Sequence, residues 1–223
     1  EPLFPFGFGL GYTTFDVQTR QVSLDGARVS IDVDVTNTGG FPGKETIQVY
    51  ASVPAGRLDQ PLQALAGFTK TDEIAPGATA RITVDVDLTD LASYDEASHA
   101  TVLEAGRYLL RAGTSSRQLS PVAVVELAQD ATVRHLTGDL GEPGFTDWKP
   151  KAPAVLDIPA GLPVLAVDPA DLRLPDRAEP DEQAAPEDVR QALSLARELS
   201  DDELIYIVLG DYRRGEESGS IVG

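Results

Sequence analysis

Carboxylates are the abundant reactive groups of this chain, and the other side chains that commonly carry out catalysis are scarce. The 223 residues include 36 Asp and Glu but only 2 His and 0 Cys. The lack of cysteine excludes disulfides, thiolate metal sites and cysteine nucleophiles. His99 and His135 lack the ligand spacing of a zinc or iron site, so we expect both at the surface. No Ser-His-Asp set is evident, and the sequence predicts no metal and no cofactor.

Two further patterns resemble binding sites without meeting their requirements. Asp and Glu crowd together between residues 168 and 188, but this run lacks the D-x-[DN]-x-[DN]-G loop that binds calcium. Gly7, Gly9 and Gly11 do not join a strand to a helix, so they form no phosphate cradle. We therefore interpret the acidic run as a solvated linker and the glycines as turn formers.

One aspartate has a neighbour that makes it a candidate for catalysis. Asp147 lies between Thr146 and Trp148, so its carboxylate is next to an aromatic ring. A catalytic carboxylate needs a rigid scaffold, however, and this triplet lies between Pro143 and Pro150 with no strand before it. We expect Trp148 to anchor the segment, and we assign no catalytic, cofactor-binding or metal-binding residue in the chain.

The elements that would position any such group are, up to about residue 128, short strands. Residues 28–35 and 81–88 alternate strictly between apolar and polar side chains, as half-buried antiparallel strands do. Residues 46–50, 107–111 and 121–125 add shorter strands, and Gly, Pro and Asn mark turns between them. The pattern predicts a mainly β fold, an antiparallel β-sandwich of the immunoglobulin type over residues 1–128.

The rest of the chain changes character twice. Residues 129–185 are rich in proline and acids, which predicts an extended linker along a surface, with one short strand at residues 161–167. Residues 186–223 predict one or two α-helices: Pro186 suits a first turn, and Ser200 and Glu203 have the spacing of a capping box. The second helix, stopped by Gly210, is apolar on nearly all sides, so we expect a partner domain to cover it.

Charge and composition restrict the partners. The formal net charge is -18, which repels nucleic acid and anionic lipid, so we expect neither nucleic-acid nor membrane binding. The longest apolar runs fall well short of the ~18 residues that span a bilayer. Because the sequence has 0 Met and begins with Glu1, we expect a processed product or a fragment.

A series of motifs resembles one known family. Residues 5–15 resemble the motif P-F-G-[YF]-G-L-S-Y-T-x-F, with Gly11 in place of Ser. In family-3 glycoside hydrolases, the β-glucosidase-like enzymes, this motif precedes the fibronectin-III-like domain. Residues 35–39 resemble V-x-N-T-G, and residues 43–50 resemble G-x-E-V-x-Q-x-Y. Residues 57–70 match R-x-x-x-P-x-x-x-L-x-G-F-x-K. Pro76 and Gly77 open a P-G-E-like segment with Ala78 in place of Glu, and residues 104–108 resemble E-x-G-x-Y.

The resemblance implies a parent enzyme that hydrolyses terminal β-linked sugars, with a β-glucoside-type substrate and a covalent intermediate. Residues 198–205 are similar to the family's barrel opening, L-[TS]-x-E-E-K-x-x-L, with Leu204 where Lys is common. This implies a reversed order, with an α/β-sandwich domain before Glu1 and the barrel after Gly223 as partner domains. The family's nucleophile is the Asp of an S-D-W motif on the barrel, which residues 146–148 imitate upstream of that opening.

Our leading hypothesis is a non-catalytic sandwich that buttresses the sugar-binding domains. Under it Phe6 and Phe8 lie beneath a neighbouring domain, while Phe68 and Tyr108 fill the core. The alternative is a free carbohydrate- or protein-binding module, which a row of exposed aromatics would favour; aromatic residues are only 6% of the chain, and we expect most to point inward. A third hypothesis is a structural spacer of a cell-surface protein.

Overall fold

The strands form where the sequence alternates or carries short apolar runs between turns. The computed structural model describes residues 3–54, 56–136, 157–176 and 186–209, and the chain divides into two units, Glu1–Arg177 and Ala178–Gly223. The strands are β1 (Phe15–Asp25), β2 (Arg28–Asn37), β3 (Thr46–Ser52), β4 (Ala64–Lys70), β5 (Thr79–Asp87), β6 (Ser93–Asp95), β7 (Ala100–Leu103), β8 (Gly106–Gly113), β9 (Leu119–Leu127), β10 (Ala131–His135) and β11 (Val164–Val167). Two 3₁₀ helices cover Leu88–Leu91 and Pro169–Leu172.

Three sheets make up the first unit. One has the order β1-β2-β5, the second β11-β9-β8-β3-β4, and a small third sheet β10-β7-β6. Neighbouring strands pair antiparallel throughout the described part of the chain, except that β11 runs parallel to β9. Apolar side chains of the first two sheets meet in one core, as in a sandwich. The predicted antiparallel β-sandwich is confirmed.

The core is built from the inward positions of the alternating strands. In β2 the residues Val29, Ile31, Val33 and Val35 are fully buried, as predicted, and in β5 the inward residues include Val84 and Val86. The opposite sheet contributes the side chains of Ile47, Val49 and Leu110. Burying each such side chain contributes about 1.5–3 kcal/mol, so the sandwich interior supplies most of the stability of this unit.

The predicted linker carries elements of the sandwich unit over its described parts. Residues 131–135 form β10, and the short strand predicted at residues 161–167 is confirmed as β11. Leu172, in the second 3₁₀ helix, is fully buried in the same core. The prolines and acids of this segment predict a surface connector, but four of its apolar residues pack against the core of the sandwich: Leu165, Val167, Leu172 and Leu174.

The second unit contains the two predicted helices, α1 (Glu187–Glu198) and α2 (Asp201–Leu209). The capping box is confirmed: the Ser200 N–H donates to Glu203 Oε2 at 2.8 Å, and the Glu203 N–H donates to Ser200 Oγ at 3.4 Å. None of the α1 residues is buried, and Ile205 and Ile207 of α2 are more than half exposed. Within the described part of the chain, no helix combines the length and the hydropathy that spanning a membrane requires.

A charged cluster joins the three strands of the β1-β2-β5 sheet across its central strand. The register of β1 shifts between Thr19 and Gln21, and this bulge turns Arg20 towards Asp34 of β2. Asp34 accepts hydrogen bonds from Arg20 Nε at 2.7 Å and from Arg81 Nε at 2.7 Å. The hydrogen bonds from Arg81 and then from Arg20 lower the pKa of Asp34 to about 2, so the carboxylate stays charged at any physiological pH.

Candidate docking face

The segment before β1 repeats apolar residues at every second position, as a strand does, without forming one. Phe4, Phe6, Phe8, Leu10 and Tyr12 alternate with Pro5, Gly7, Gly9 and Gly11. Glycine and proline disfavour strands, because glycine loses more entropy on ordering and proline cannot donate to a ladder. We refer to residues 3–14 as the strap, and two anchors fix its path.

The first anchor is a tight turn seated on the sandwich. The Phe8 N–H donates to Pro5 O at 2.9 Å, and Gly7 has a φ of +86°, which suits the third position of a type II turn. A Cβ on Gly7 would lie 2.3 Å from Gln48 Nε2 and 2.8 Å from Thr114 O, so only glycine permits this approach. The turn is fastened further by the Ser116 N–H, which donates to Phe6 O at 2.9 Å.

The second anchor is the buried side chain of Asn37, at the end of β2. Its Oδ1 accepts from the Thr13 hydroxyl at 2.6 Å and from the Gly39 N–H at 3.0 Å. Its Nδ2 donates to Phe41 O and to Ile74 O, both at 2.8 Å. One amide therefore satisfies four partners and ties the end of the strap to two turns of the sandwich.

Between and beside these anchors, large apolar side chains remain in solvent. Phe6 of the strap and Phe68 of β4 are each 67% exposed, and together with Leu65 they line a cleft of about 320 Å³ with Gln48 among its lining residues. The rings of Phe4 and Phe8 stack at a centroid distance of 4.7 Å, and both are more than half exposed. We call these five side chains the apolar face: Phe4, Phe6, Phe8, Leu65 and Phe68.

Two sequence predictions about aromatic residues are corrected here. Phe68 was expected in the core; instead Gly67 approaches β5, where a Cβ would lie 2.4 Å from Asp85 O, and the alternation of β4 directs Phe68 to the other side. Most aromatics were expected to point inward, but many are exposed. The exposed ones include Phe4, Phe6, Phe8, Tyr12, Phe41, Phe68, Tyr94 and Tyr206.

Tyr108 confirms the core prediction and shows how a motif residue works structurally. Its ring is buried, and its hydroxyl donates to Glu104 O at 2.6 Å, four residues upstream, as in the tyrosine corner of immunoglobulin-like domains. Burial raises the pKa of Tyr108 far above its usual value, so the phenol remains a donor. The E-x-G-x-Y motif is therefore explained by packing.

Arg57, another motif residue, organises the connection between β3 and β4. Its guanidinium forms a two-pronged ion pair with Asp95, with N···O distances of 2.8 Å and 3.0 Å. The backbone N–H groups of Arg57 and Leu58 donate to the carboxylate of Glu104 at 2.7 Å and 3.0 Å. The same connection reaches the first anchor, because Gln63 Nε2 donates to Ser116 O at 2.8 Å.

Two carboxylates of the sandwich, Asp34 and Asp95, are held in their charged form by arginines. The Arg57 guanidinium, and then the Ser98 hydroxyl, lower the pKa of Asp95 to about 2. Asp95 and Asp34 are thus fixed as ion-pair acceptors, whereas a general acid needs a raised pKa. Within residues 3–54, 56–136, 157–176 and 186–209, no cluster of metal-ligating side chains is present.

The remaining candidates from the sequence are surface residues or lie elsewhere. His99 and His135 are exposed, as predicted, and His99 Nδ1 lies 3.3 Å from the hydroxyl of Tyr94. Asp147 and Trp148 lie outside the described residues, so the prediction that neither is catalytic stays a prediction. What the described geometry offers is a preformed apolar surface, which can bind another apolar surface. Sequence reasoning missed Leu65 and Phe68 because nothing in their pattern distinguishes an outward from an inward face.

Comparison with known proteins shows which proteins this chain is similar to. Residues 45–116 match the model of the fibronectin type III-like domain. A β-glucosidase from Kluyveromyces marxianus is 36% identical over 129 residues, which are 57% of this chain and 15% of that protein. Beta-glucosidase A from Butyrivibrio fibrisolvens is 38% identical over 51% of this chain and 16% of its own length.

Solved structures agree with the sequence relatives. A β-glucosidase from Paenibacillus barengoltzii has a TM-score of 0.59 at 38% identity, over 61% of this chain and 16% of that one. The GH3 β-glucosidase of Bifidobacterium adolescentis has a TM-score of 0.53 at 34% identity, over 62% of this chain and 20% of that one. This chain thus spans only about a sixth of the length of its relatives. The resemblance inferred from the motifs is confirmed.

Proposed function

We propose, from the premise that this chain carries the fibronectin type III-like domain of a family-3 glycoside hydrolase, that its sandwich is a non-catalytic buttress. In this proposal the apolar face packs against neighbouring domains of a β-glucosidase-like enzyme. The observation that carries the proposal is a strap whose apolar residues face solvent although both of its ends are pinned to the sandwich. Large apolar side chains held in solvent by a fixed backbone typically mark an interaction site.

The energetics favour docking through this face. Burying a fully exposed Phe or Leu side chain contributes about 1.5–3 kcal/mol. The five side chains are 40–67% exposed, so covering the rest of them amounts to roughly 4–9 kcal/mol before ordering costs. Those costs are small here because Gly7 and Asn37 already fix the strap in one conformation. Interfaces between domains of one chain are usually modest in size, and this face is sufficient for one.

The parent protein is part of the same proposal. It hydrolyses terminal β-linked sugars with retention, has an α/β-sandwich domain before Glu1, and continues into a catalytic barrel after Gly223. Residues 186–209 would then be the first helices of the barrel domain, which agrees with the exposed apolar residues of α2. The catalytic residues lie in the barrel rather than in this chain.

A second function, sugar binding by the sandwich itself, is favoured by one observation: the exposed Phe6 and Phe68 rings flank a cleft with Gln48 among its lining residues. Rings stack on flat ligands, and an amide can bond to hydroxyls. Phe has no polar group of its own, however, and a Tyr or Trp usually serves where one side of a contact is wet. The composition of the cleft therefore favours a dry protein contact.

The test compares this chain with a longer parent polypeptide. Hydrolysis of an aryl β-glucoside should be found with the parent and not with the chain alone. Phe6→Ser together with Phe68→Ser should lower the melting temperature of the parent, whereas Tyr94→Ser, an exposed aromatic on the small sheet, serves as the matched control. Saturable heat on titrating the isolated chain with oligosaccharides, lost in the Phe68→Ser variant, would instead establish the sugar-binding function.

A further inference from the structure

The segment around β11 binds the sandwich in a way unlike the other strands. β11 pairs with β9 in parallel, from Val164 opposite Val124 to Val167 opposite Leu127. The pairing begins with the Val124 N–H, which donates to Pro163 O at 2.9 Å. We refer to residues 163–174 as the latch. It is an extended peptide of which only four residues form a strand, and it lies along the edge of β9.

A side chain of the latch fills a socket beyond the end of β11. Leu172 is fully buried in an apolar socket formed by the first 3₁₀ helix, β7, β8, β9 and β11. The socket is lined by Leu88, Leu91, Leu103, Tyr108, Val125, Leu127 and Val167. The Asp168 carboxylate accepts from the Ala170 N–H at 2.9 Å and so shapes the 3₁₀ turn that directs Leu172 inward.

The far end of the latch is fastened to a different sheet. The Leu174 N–H donates to Val133 O of β10 at 2.8 Å. Just beyond it, Asp176 Oδ1 accepts from the His135 N–H at 3.1 Å. The latch therefore joins the edge of the five-stranded sheet to β10 of the small sheet through backbone hydrogen bonds at both ends and one buried leucine between them.

We propose that the edge of β9 and the leucine socket form a peptide-binding site, and that the latch is its ligand, held in cis. Backbone pairing supplies affinity and the pocketed side chain supplies specificity, which is how domains that accept an added strand bind peptides. The pattern of inward residues, Leu165, Val167, Leu172 and Leu174, defines the ligand as a peptide of the form Leu-x-Val-x₄-Leu-x-Leu. The fibronectin-like family match ends at residue 116, before the latch begins.

The position of the latch at the edge of its sheet is what allows it to act as a ligand. It forms the outermost strand of its sheet, and Val164 and Ala166 on its other side face solvent. Most of the core comes from β2 and β5 of one sheet and from β3, β8 and β9 of the other, and these strands pair within their sheets without the latch. The latch therefore adds to a sandwich that the other strands already define, and the same site can bind the same peptide without a covalent connection.

The experiment uses the full chain with a recognition site for a specific protease placed between residues 140 and 150. After cleavage the two pieces should co-elute in gel filtration. A fluorescent peptide of residues 161–176, added in excess, should exchange into the cleaved protein and give a saturable rise in anisotropy. A Leu172→Ala peptide should bind about 30-fold or more weakly, because a buried Leu replaced by Ala loses about 2 kcal/mol or more.

A second peptide keeps the result specific to the socket. Val164→Ala changes a half-exposed residue of the same strand, so this peptide should bind within about threefold of the original. Separation of the pieces on cleavage, or equal binding of the Leu172→Ala and original peptides, overturns the proposal. Unfolding of the larger piece when the peptide displaces the latch, seen as loss of the β signal in circular dichroism, also overturns it, because the latch would then be an integral strand.

Discussion

In both β2 and the strap every second residue is apolar, but these residues are buried in β2 and exposed in the strap. In β2, Val29, Ile31, Val33 and Val35 recur at every second residue and are completely buried. In the strap, five large apolar residues recur at the same spacing, and all are more than half exposed. The residues in between differ: β2 alternates with polar side chains that pair with neighbouring strands, while the strap alternates with proline and glycine.

The difference shows that period alone does not decide burial. A strand with polar side chains on one face can leave that face in water, so its apolar face packs on the core of its own domain. The strap approaches the sandwich closely at Gly7, which lies against Gln48, whereas a Cβ on Gly9 would meet open space. Its apolar side chains are therefore left in solvent. We infer that β2 was selected for the stability of the sandwich and the strap for contact with something else.

The largest expected effect is on the buried side of the comparison. Ile31→Ala removes a fully buried side chain of β2, and we expect the free energy of unfolding to fall by about 2–5 kcal/mol because the core cannot fill the cavity. Urea unfolding followed by circular dichroism measures it. A loss below about 1 kcal/mol would mean that the core of this sheet is loosely packed, and the contrast with the strap would disappear.

A smaller effect is expected where the two regions meet. Asn37→Ala leaves Phe41 O and Ile74 O without their donor and frees Thr13, so we expect a loss of about 2–3 kcal/mol. The matched control is Thr13→Val, which removes only the hydroxyl and should cost about 1 kcal/mol.

Limited proteolysis distinguishes an effect of Asn37 on the strap from an effect on the stability of the core. In the Asn37→Ala variant the strap should be cleaved earlier than in the original chain at equal protease concentration. If Asn37→Ala lowered stability without making the strap more sensitive, the amide would hold the turns alone, and the strap would need another anchor.

The third effect is the pH dependence of stability. Asp34 and Asp95 have pKa values of about 2 in the folded chain, below the ordinary value near 3.9. Their stabilisation is therefore complete above the unfolded pKa and is lost as the pH falls from about 5 towards 2. Asp34→Asn together with Asp95→Asn should flatten the curve of urea midpoint against pH in this window. An unchanged slope would show that other carboxylates carry the acid sensitivity.

Sequence reasoning was accurate where local pattern determines structure. The alternation of β2 and β5 and the capping box of Ser200 and Glu203 each depend on residues a few positions apart, and all are found as predicted. The prediction that Tyr108 fills the core is also confirmed, since it lies within β8 beside the buried Leu109 and Leu110.

Sequence reasoning was wrong or incomplete where the structure depends on contacts between residues that are far apart in the chain. Phe68 faces outward because Gly67 lies against Asp85 of β5, a contact that the letters of β4 do not encode. The sequence predicted the strand β11 but not its pairing with β9. The two strands lie about 40 residues apart, and a parallel pair has no turn between its strands that the sequence could reveal. The apolar face was half predicted, since Phe6 and Phe8 were expected beneath a neighbour while Leu65 and Phe68 were not.

The smallest effect on the chain itself, and the one that tests the comparison most directly, concerns the exposed side. Phe6→Ser and Phe68→Ser, alone or together, should change the free energy of unfolding of this chain by no more than about 0.5 kcal/mol each, because neither ring is buried here. In a longer parent polypeptide the same pair should lower the melting temperature, since there the rings would lose a covered environment. Differential scanning calorimetry of both proteins, with Tyr94→Ser beside them, measures the two shifts. If the melting temperature fell as much in the chain as in the parent, the apolar face would stabilise the sandwich itself. β2 and the strap would then differ in exposure, but both would stabilise the same domain.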